Sequence, residues 1–286
     1  MKKKKVIFDC DNTMGIPGRD VDDGLTLIYL LGSEDIELLG VTLTHGNGTL
    51  EEVLESTEKL IRELDIKGLN VFCGEEGGRF LAEEAEKYKD ELIVLATGAM
   101  TNLYTAYKYD NKFYKNLNEL YLMGGIVEPL LINGKKVEEL NFSVDPEAAF
   151  NVLSSDAKIS ILNGHTASKA IFGKKDIKKL SNQNGRIYRF LESSIFHWME
   201  NMKAKFGIDG FCNWDMAAAV FISHKELFEK NIARINPDIE KLRTGDLNLD
   251  DSGSREVIMP LGIKSIEKFN FIIFEAFEFF RKRYEK

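Results

Sequence analysis

The chain has 286 residues, of which 44% are hydrophobic and 29% charged, and this composition is typical of a folded globular protein. The 46 acidic residues outnumber the 38 basic ones, which gives a net charge of -8 and argues against a nucleic-acid partner, since that needs a basic surface. No apolar run approaches the roughly 20 residues that cross a bilayer, so no membrane partner is expected. The three cysteines, at positions 10, 73 and 212, form no disulfide framework, and a cytoplasmic location is predicted.

Short apolar runs alternate with longer helical patterns through the first two thirds of the chain. Strands are predicted at residues 6–8, 37–44, 69–73, 92–96, 120–123 and 159–162. Helices are predicted at residues 22–31 and 50–64, and Asp145-Pro146-Glu147 is a helix start with Asp as N-cap. Apolar strands joined by helices predict an α/β fold, with a mostly parallel central sheet flanked by helices. No linker or repeat interrupts the pattern, so residues 1–286 are predicted to form a single domain.

The last third of the chain is more helical. Helices are predicted at residues 186–206, 213–223 and 265–284. The last of them carries phenylalanines at positions 269, 274, 277 and 280, whose helical spacing favours core packing or a subunit contact over a cofactor site.

The most informative segment is acidic and follows the first strand. Asp9 and Asp11 point to one side of the strand at its carboxyl end, and Asp20, Asp22 and Asp23 follow shortly after. Carboxylates crowded in this way repel one another unless protons or a cation intervene. A hard divalent cation with oxygen ligands is the predicted solution.

Parts of this segment resemble motifs of two protein families, of which the first is a family of phosphatases. Residues 9–13 match the DxDxT motif of haloacid-dehalogenase-like phosphatases, and residues 245–250 resemble that family's later GDxxxD motif. This resemblance implies a magnesium-dependent phosphatase in which Asp9 attacks phosphorus and Asp11 acts as acid and base. However, the later motif should follow a buried strand, and residues 236–241 before it are polar.

A second set of segments extends over nearly the whole chain. In order they are the aspartates at positions 9, 11, 22 and 23, residues 42–47 (TLTHGN), residues 95–102 (LATGAMTN), Met123-Gly124-Gly125, residues 139–149 (ELN…DPEAA) and Trp214-Asp215. These segments resemble the motifs of the inosine-uridine-preferring nucleoside hydrolase family. The four aspartates correspond to that family's DxDPGxDD motif. The resemblance implies that the protein hydrolyses the N-glycosidic bond of ribonucleosides and forms a dimer or tetramer.

The sequence departs from that family in two places. Residues 12–21 replace the short proline-glycine turn of DxDPGxDD with a longer loop, which brings Arg19 and Asp20 near the mouth of the expected site. Trp214 stands where pyrimidine-tolerant members have a histidine and purine-preferring members a tryptophan, which favours purine substrates. These departures also leave open the alternative that the protein is a relative of the family that binds nucleosides without hydrolysing them.

The resemblance to nucleoside hydrolases implies one calcium ion, held by Asp11, Asp23, Asp215 and the backbone carbonyl of Thr97. Asp11 would accept a proton from water as the general base. Asp9 would orient a ligand of the metal from behind.

The same resemblance assigns residues to the two ends of the substrate. Asp22 and Asn141 would bind ribose hydroxyls, Asn133 and Glu139 the 5′ side, and Asn47 would lie beside the metal ligands. At the base end, His197 is a candidate acid and Trp198 a candidate wall. Trp214 is a candidate catalytic residue, whose ring would stack on the departing base and favour its protonation. His45 and His165 are expected to be structural, and Cys10 is expected to point into the packed face of the sheet.

Overall fold

A computed structural model describes residues 2–285, in which strands and helices alternate along most of the chain. The strands are β1 (Lys4–Cys10), β2 (Ile36–Leu43), β3 (Val71–Cys73), β4 (Leu92–Ala96), β5 (Glu119–Met123), β6 (Leu131–Ile132), β7 (Lys135–Lys136), β8 (Ile159–Leu162), β9 (Ile171–Gly173), β10 (Gly210–Cys212), β11 (Ile232–Ile235) and β12 (Arg255–Ile258). The helices are α1 (Asp22–Gly32), α2 (Leu50–Glu63), α3 (Gly74–Lys87), α4 (Thr101–Tyr109), α5 (Phe113–Asn116), α6 (Pro146–Leu153), α7 (Gly164–Ala167), α8 (Lys174–Ser181), α9 (Arg186–Phe206), α10 (Trp214–Ser223), α11 (Ile239–Leu242) and α12 (Ile266–Tyr284). None of the helices described is both long and apolar enough to cross a bilayer.

Eight strands form the central sheet, in the order β11-β12-β8-β5-β4-β1-β2-β3. Neighbouring strands are parallel except β11 and β12, which are antiparallel at one edge. From β1 the chain adds β2 and β3 on one side and then returns to add β4 and β5 on the other. Ligands of open α/β sheets bind outside the carboxyl ends of the strands at such a reversal, which here lies between β1 and β4.

Strand β1 is covered on both faces. Phe8 and Cys10 pack in the core with α1, α10 and α12, whereas Ile7 packs on the opposite face with α3 and α4. Every residue from 6 to 10 is buried, including Asp9. The α/β fold and the inward position of Cys10 are therefore confirmed, and a charged residue inside this strand stands out from its apolar neighbours.

Helix α12 packs against α1. The two helices approach so closely at Gly32 that a Cβ there would collide with the carbonyl of Ala276. The four phenylalanines of α12 at positions 269, 274, 277 and 280 are all buried. Their predicted packing role is confirmed.

The predicted elements agree with the structure to within a few residues. The strands predicted at 92–96 and 159–162 are β4 and β8, and the helix predicted at 186–206 is α9. The Asp145 side chain caps α6, because it accepts a hydrogen bond from the Ala148 N–H at 3.1 Å. The pairs β6–β7, β9–β10 and β11–β12 were not predicted, because strands of two to four residues carry too little periodicity.

Candidate active site

Four aspartates come together at the carboxyl end of β1. Asp11 follows this strand, Asp22 and Asp23 begin α1, and Asp215 lies in the first turn of α10. All four are buried, with at most 4% of each residue exposed. The amino-terminal ends of α1 and α10 carry partial positive charge, which favours carboxylates at this place. We call these four residues the carboxylate cluster.

Asp11 is held by the loop after β2. Its Oδ2 accepts a hydrogen bond from the Asn47 backbone N–H at 2.5 Å, and the Asn47 side-chain amide lies 3.4 Å from its Oδ1. Gly46 permits this approach, since it has a φ of +154° and a Cβ there would collide with the Asp11 carboxylate. A Cβ at Gly98 would lie 2.6 Å from the Thr44 Cγ2 and 3.1 Å from the Asp11 Cβ, so the chain is also closely packed on this side of the aspartate.

The two aspartates of α1 have different surroundings. Asp22 Oδ2 accepts a hydrogen bond from the Asp215 backbone N–H at 3.2 Å. Asp23 Oδ1 accepts one from the Thr97 hydroxyl at 2.6 Å. The other oxygen of Asp23 is buried and has no hydrogen-bond partner within residues 2–285. A buried carboxylate oxygen without a donor is costly, and a cation beside it would remove the cost.

Burial raises the pKa of each carboxyl group in the carboxylate cluster. The pKa of Asp11 rises to about 6 and that of Asp22 to about 6. For Asp23 and Asp215 the charges of neighbouring aspartates add to the effect of burial, and the pKa of each rises well above its ordinary value. The cluster therefore favours the uptake of protons or of a positive ion.

The ligands available in the cluster fit a hard cation. Carboxylates together with the hydroxyl and carbonyl of Thr97 are the oxygen ligands that calcium prefers. As the side chains stand, no three His, Cys, Asp or Glu groups among the described residues already form a metal cage. Two observations support a calcium ion here: the available ligands are all oxygens, and one buried oxygen of Asp23 has no hydrogen-bond donor within residues 2–285. The carboxylates would move closer together around a bound ion.

Asp9 lies behind the carboxylate cluster. Its Oδ1 accepts hydrogen bonds from the Thr42 hydroxyl at 2.5 Å and from the Asn102 amide at 2.7 Å. Its backbone carbonyl accepts one from the Thr97 N–H at 2.9 Å. Burial raises the pKa of Asp9 to about 7. The Asp9 backbone thus holds Thr97, whereas its side chain is held by Thr42 and Asn102, two residues to which the sequence analysis gave no role.

A cavity of about 540 Å³ opens over the cluster, a size common for small-molecule sites. The predicted site residues that line it are Asp22, Asn47, Thr97, Glu139, Asn141, Trp198, Trp214 and Asp215. Asp11 and Asp23 do not line the cavity themselves, but they contact Asn47 and Thr97, which do. Most of the predicted site residues therefore line this cavity or contact its lining, whereas His197 and Asn133 do not line it.

His197 lies on the exposed side of α9. Its ring contacts the ring of Phe196, which is itself exposed, at a centroid distance of 5.6 Å. Consecutive helical residues point about 100° apart, so His197 does not follow Trp198 into the cavity. The predicted role of His197 as leaving-group acid is therefore not supported.

Asn133 occupies the turn between β6 and β7. It has a φ of +47° and precedes Gly134, an Asn-Gly pair typical of tight hairpins. Its side-chain amide donates to the Phe206 carbonyl at 2.9 Å, which fastens the hairpin to the end of α9. Asn133 is exposed outside the cavity lining, so its predicted contact with the 5′ side of the substrate is not supported.

Glu139 organises the wall that carries Asn141. Its Oε1 accepts backbone hydrogen bonds from Gly125, Asn141 and Phe142 at 2.9 to 3.1 Å, and its Oε2 accepts one from Ser143 at 2.8 Å. Asn141 Nδ2 in turn donates to the Met123 carbonyl at 3.0 Å. These bonds hold the loop of residues 139–143 against the end of β5.

The long loop of residues 12–21 is fastened at the mouth of the cavity. The Asn201 amide donates to the Gly18 carbonyl at 2.8 Å, which joins the loop to α9. The Arg19 guanidinium donates to the Asn47 carbonyl. Arg19 and Asp20 both line the cavity, as the sequence analysis predicted for this loop.

Comparison with known proteins identifies an enzyme class, the N-glycosyl hydrolases. The chain matches the family model for inosine-uridine preferring nucleoside hydrolase over residues 6–265. It is 25% identical over 274 residues to a probable uridine nucleosidase 2 of Arabidopsis thaliana, and 82% of each chain is covered. It is 24% identical over 225 residues to an inosine-uridine preferring nucleoside hydrolase of Crithidia fasciculata, covering 66% of this chain and 69% of that one.

Solved structures share the fold. A purine-preferring ribonucleoside hydrolase from Gardnerella vaginalis is similar with a TM-score of 0.84 at 20% identity, covering 98% of this chain and 100% of that one. With the match over residues 6–265, the chain belongs to the inosine-uridine preferring nucleoside hydrolase family.

The phosphatase alternative is wrong. The family match covers residues 6–265, and hydrogen bonds from Thr42 and Asn102 hold the Asp9 carboxylate behind the cluster, where it has no role as a nucleophile. Asp246, in the second matching motif, accepts a hydrogen bond from the Asn248 N–H at 2.8 Å within a turn and also lies outside the cavity lining. The resemblance to that family was limited to short local patterns.

Proposed function

We propose that the protein hydrolyses the N-glycosidic bond of ribonucleosides with the help of calcium and releases ribose and free base. The observation that carries the proposal is the carboxylate cluster beneath a cavity of about 540 Å³ in a chain of this family. The unpartnered oxygen of Asp23 and the mutual repulsion of the aspartates support a cation among them.

Asp11, Asp23, Asp215 and the backbone carbonyl of Thr97 would hold the calcium. Bound there, it would neutralise the carboxylate cluster and make a water molecule beside it more acidic. Asp11 accepts the proton of the attacking water, because a carboxylate kept ionised by a nearby cation remains able to act as a base. The bond from the Asn47 N–H keeps the Asp11 carboxylate in one orientation.

Asp22 and Asn141 bind the ribose hydroxyls, and Glu139 lies toward the 5′ side. All three line the same cavity as the cluster. Glu139 already accepts four backbone hydrogen bonds, so its main contribution is to hold Asn141 in place. A deoxyribose substrate would leave buried polar groups without partners and should be a poor substrate.

Trp198 and Trp214 form the base end of the cavity. Their aromatic faces favour the larger purine rings, and we infer a preference for purine nucleosides. The similar proteins differ in the substrate that their names give: one is a probable uridine nucleosidase of Arabidopsis thaliana, and another is a purine-preferring ribonucleoside hydrolase of Gardnerella vaginalis. The preference therefore rests on the two tryptophans of this chain.

We also infer a dimer or tetramer in the cytoplasm. Cys10, Cys73 and Cys212 are free, which suits a reducing compartment. Light scattering of the purified protein tests the oligomeric state, and fractionation of the source cells tests the location.

The experiment is a panel of inosine, guanosine, adenosine, uridine and cytidine, with p-nitrophenyl phosphate as a second substrate class. We expect ribose release from the nucleosides, fastest from purines, and no phosphate release. Asp11→Asn should abolish ribose release. Phosphate release without ribose release, or binding of nucleosides without turnover, would overturn the proposal.

A further inference from the structure

Asn47 connects the loop after β2 to the carboxylate cluster. Its backbone N–H donates to Asp11 Oδ2 at 2.5 Å, and its backbone carbonyl accepts a hydrogen bond from the Arg19 guanidinium. It lies between Gly46, which has a φ of +154°, and Gly48, so the chain on either side of it has the conformational freedom of glycine. The position of Asn47 therefore depends on bonds to residues outside its own loop, and Arg19 supplies one of them.

The Arg19 backbone is itself held within the loop of residues 12–21. Its N–H donates to the Ile16 carbonyl at 3.2 Å. The carbonyl of the preceding residue, Gly18, accepts a hydrogen bond from the Asn201 amide at 2.8 Å, which joins this part of the loop to α9. The guanidinium therefore reaches the loop after β2 from a main chain that is fixed in place.

The start of the same long loop is packed against the body of the protein. The Asn12 amide donates to the Thr57 hydroxyl at 3.1 Å, and Asn12 Oδ1 accepts a hydrogen bond from the Met14 N–H at 3.1 Å. Met14 is buried, and a Cβ at Gly24 of α1 would collide with its side chain. The loop is thus anchored both at its start and near its end.

We propose that Arg19 is a positioning residue for the general base. By holding the Asn47 carbonyl, it keeps the Asn47 N–H directed at Asp11 and the Asp11 carboxylate directed at the attacking water. The inference rests on the proposed function, and it gives a role to the loop in which this sequence departs from the family.

Arg19 bonds a backbone carbonyl, so its effect should fall on the reaction step. Proton transfer needs the base within hydrogen-bond reach of the water, and a misplacement of about 1 Å can cost about a hundredfold in rate. Attack by water is common to every substrate, whichever group leaves. Loss of Arg19 should therefore lower kcat by the same factor on inosine and on p-nitrophenyl riboside.

The test compares Arg19→Met, Arg19→Lys and wild type on these two substrates at saturating calcium. Methionine keeps an unbranched side chain but has no hydrogen-bond donor, whereas lysine can donate to a carbonyl. We expect Arg19→Met to lower kcat at least about tenfold on both substrates and to change KM less than about twofold. Arg19→Lys should recover most of that loss.

Arg234→Met is the matched control. The Arg234 guanidinium also donates to a backbone carbonyl, that of Gly253 at 3.5 Å, and it lies outside the cavity lining. This variant should keep the kcat and KM of wild type. Thermal unfolding without calcium serves as the second readout, and we expect Arg19→Met to melt at the temperature of wild type, because the hydrogen bond that it removes is exposed.

Four results would overturn the role as a positioning residue. An unchanged kcat would do so, and a raised KM beside it would indicate direct contact with the substrate. A loss confined to inosine would place Arg19 at the leaving group. An equal loss in Arg19→Lys, or a lower melting temperature of Arg19→Met without calcium, would also contradict it. If wild type cleaves neither substrate, the proposed function itself fails, so the two failures are distinguishable.

Discussion

Asp22 Oδ2 lies 3.2 Å from the backbone nitrogen of Asp215 and accepts its hydrogen bond, although 193 positions separate the two residues in the chain. The bond joins the first residue of α1 to the first turn of α10. The residue proposed to bind ribose thus also fixes the helix that carries a proposed metal ligand. Substrate binding and metal binding should therefore be coupled in this protein.

Calcium should stabilise the folded protein. An ion that binds the native state alone raises the free energy of unfolding by about 2.7 kcal/mol at a hundred times its dissociation constant. We expect a higher melting temperature with calcium than with a chelator. Asp11→Ala should abolish this increment together with turnover, and Asp251→Ala, at an exposed acidic position, should change neither. A fully active preparation without bound metal would contradict the expectation.

Trp214→Ala should slow purine nucleosides far more than p-nitrophenyl riboside. The indole face can stack on a purine, a contact typically worth about 0.5 to 1.5 kcal/mol beyond burial, and cation–π attraction strengthens it as the base gains a proton. A gain that falls in the transition state raises turnover. Steady-state kinetics on both substrates measures the difference.

Trp214→Phe provides the matched control, since it keeps an aromatic face and should retain most of the inosine activity. Equal losses on the two substrates in Trp214→Ala would show that this residue only packs at the start of α10.

Asn102→Ala should destabilise the protein and weaken its response to calcium. The variant removes the 2.7 Å hydrogen bond to the buried Asp9 carboxylate, whose other oxygen already has no partner within residues 2–285. An unpaired buried polar group typically costs about 1–3 kcal/mol. Urea unfolding measures the loss. Asn118→Ala, which removes one exposed hydrogen bond to the Asp90 carbonyl, should cost less than about 0.5 kcal/mol.

Glu119 should contribute stability without affecting turnover. It is the first residue of β5, at the amino-terminal end of this central strand and away from the site, and its carboxylate accepts hydrogen bonds from Ser160 at 2.7 Å, Lys225 at 2.9 Å and Lys158 at 3.0 Å. Burial would raise the pKa of Glu119, but these three partners outweigh it and hold the pKa below its ordinary value.

A lowered pKa in the folded state gives stability that is present above the ordinary value of 4.5 and is lost as the pH falls through the folded-state pKa. We expect Glu119→Gln to lower the free energy of unfolding by about 1–3 kcal/mol at neutral pH. The difference from wild type should shrink in acid, and ribose release should be unchanged. Urea titrations from neutral to acidic pH measure both effects, and a constant difference at all pH values would contradict them.

Much of the fold could be predicted from the sequence, because the central strands are buried on both faces and appear as continuous apolar runs. Residues 92–96 are such a run and become β4 without change of boundary. Strands β11 and β12, the last two at one side of the sheet, are short and partly polar, so their pairing depends on tertiary contacts that a local pattern does not carry.

The sequence predicts a site residue correctly where the motif that contains it also fixes the direction of its side chain. Asp22 and Asn141 follow motifs and line the cavity as expected. His197 was predicted to face the base but does not line the cavity. The direction of its side chain depends on the rotation of α9, and only packing sets that rotation. Asn133 does not line the cavity, because it occupies the Asn-Gly turn between β6 and β7 and its side chain bonds the end of α9 instead.

Ribose release from inosine at controlled calcium concentrations is the decisive measurement for the carboxylate cluster. The protein is first freed of metal with a chelator, and calcium is then restored in steps. We expect no ribose from the metal-free protein and release that rises to saturation with calcium, with Asp23→Asn requiring more calcium than wild type. Ribose release at full rate from the metal-free protein would contradict the assignment of Asp11, Asp23 and Asp215 as the ligands of a catalytic ion.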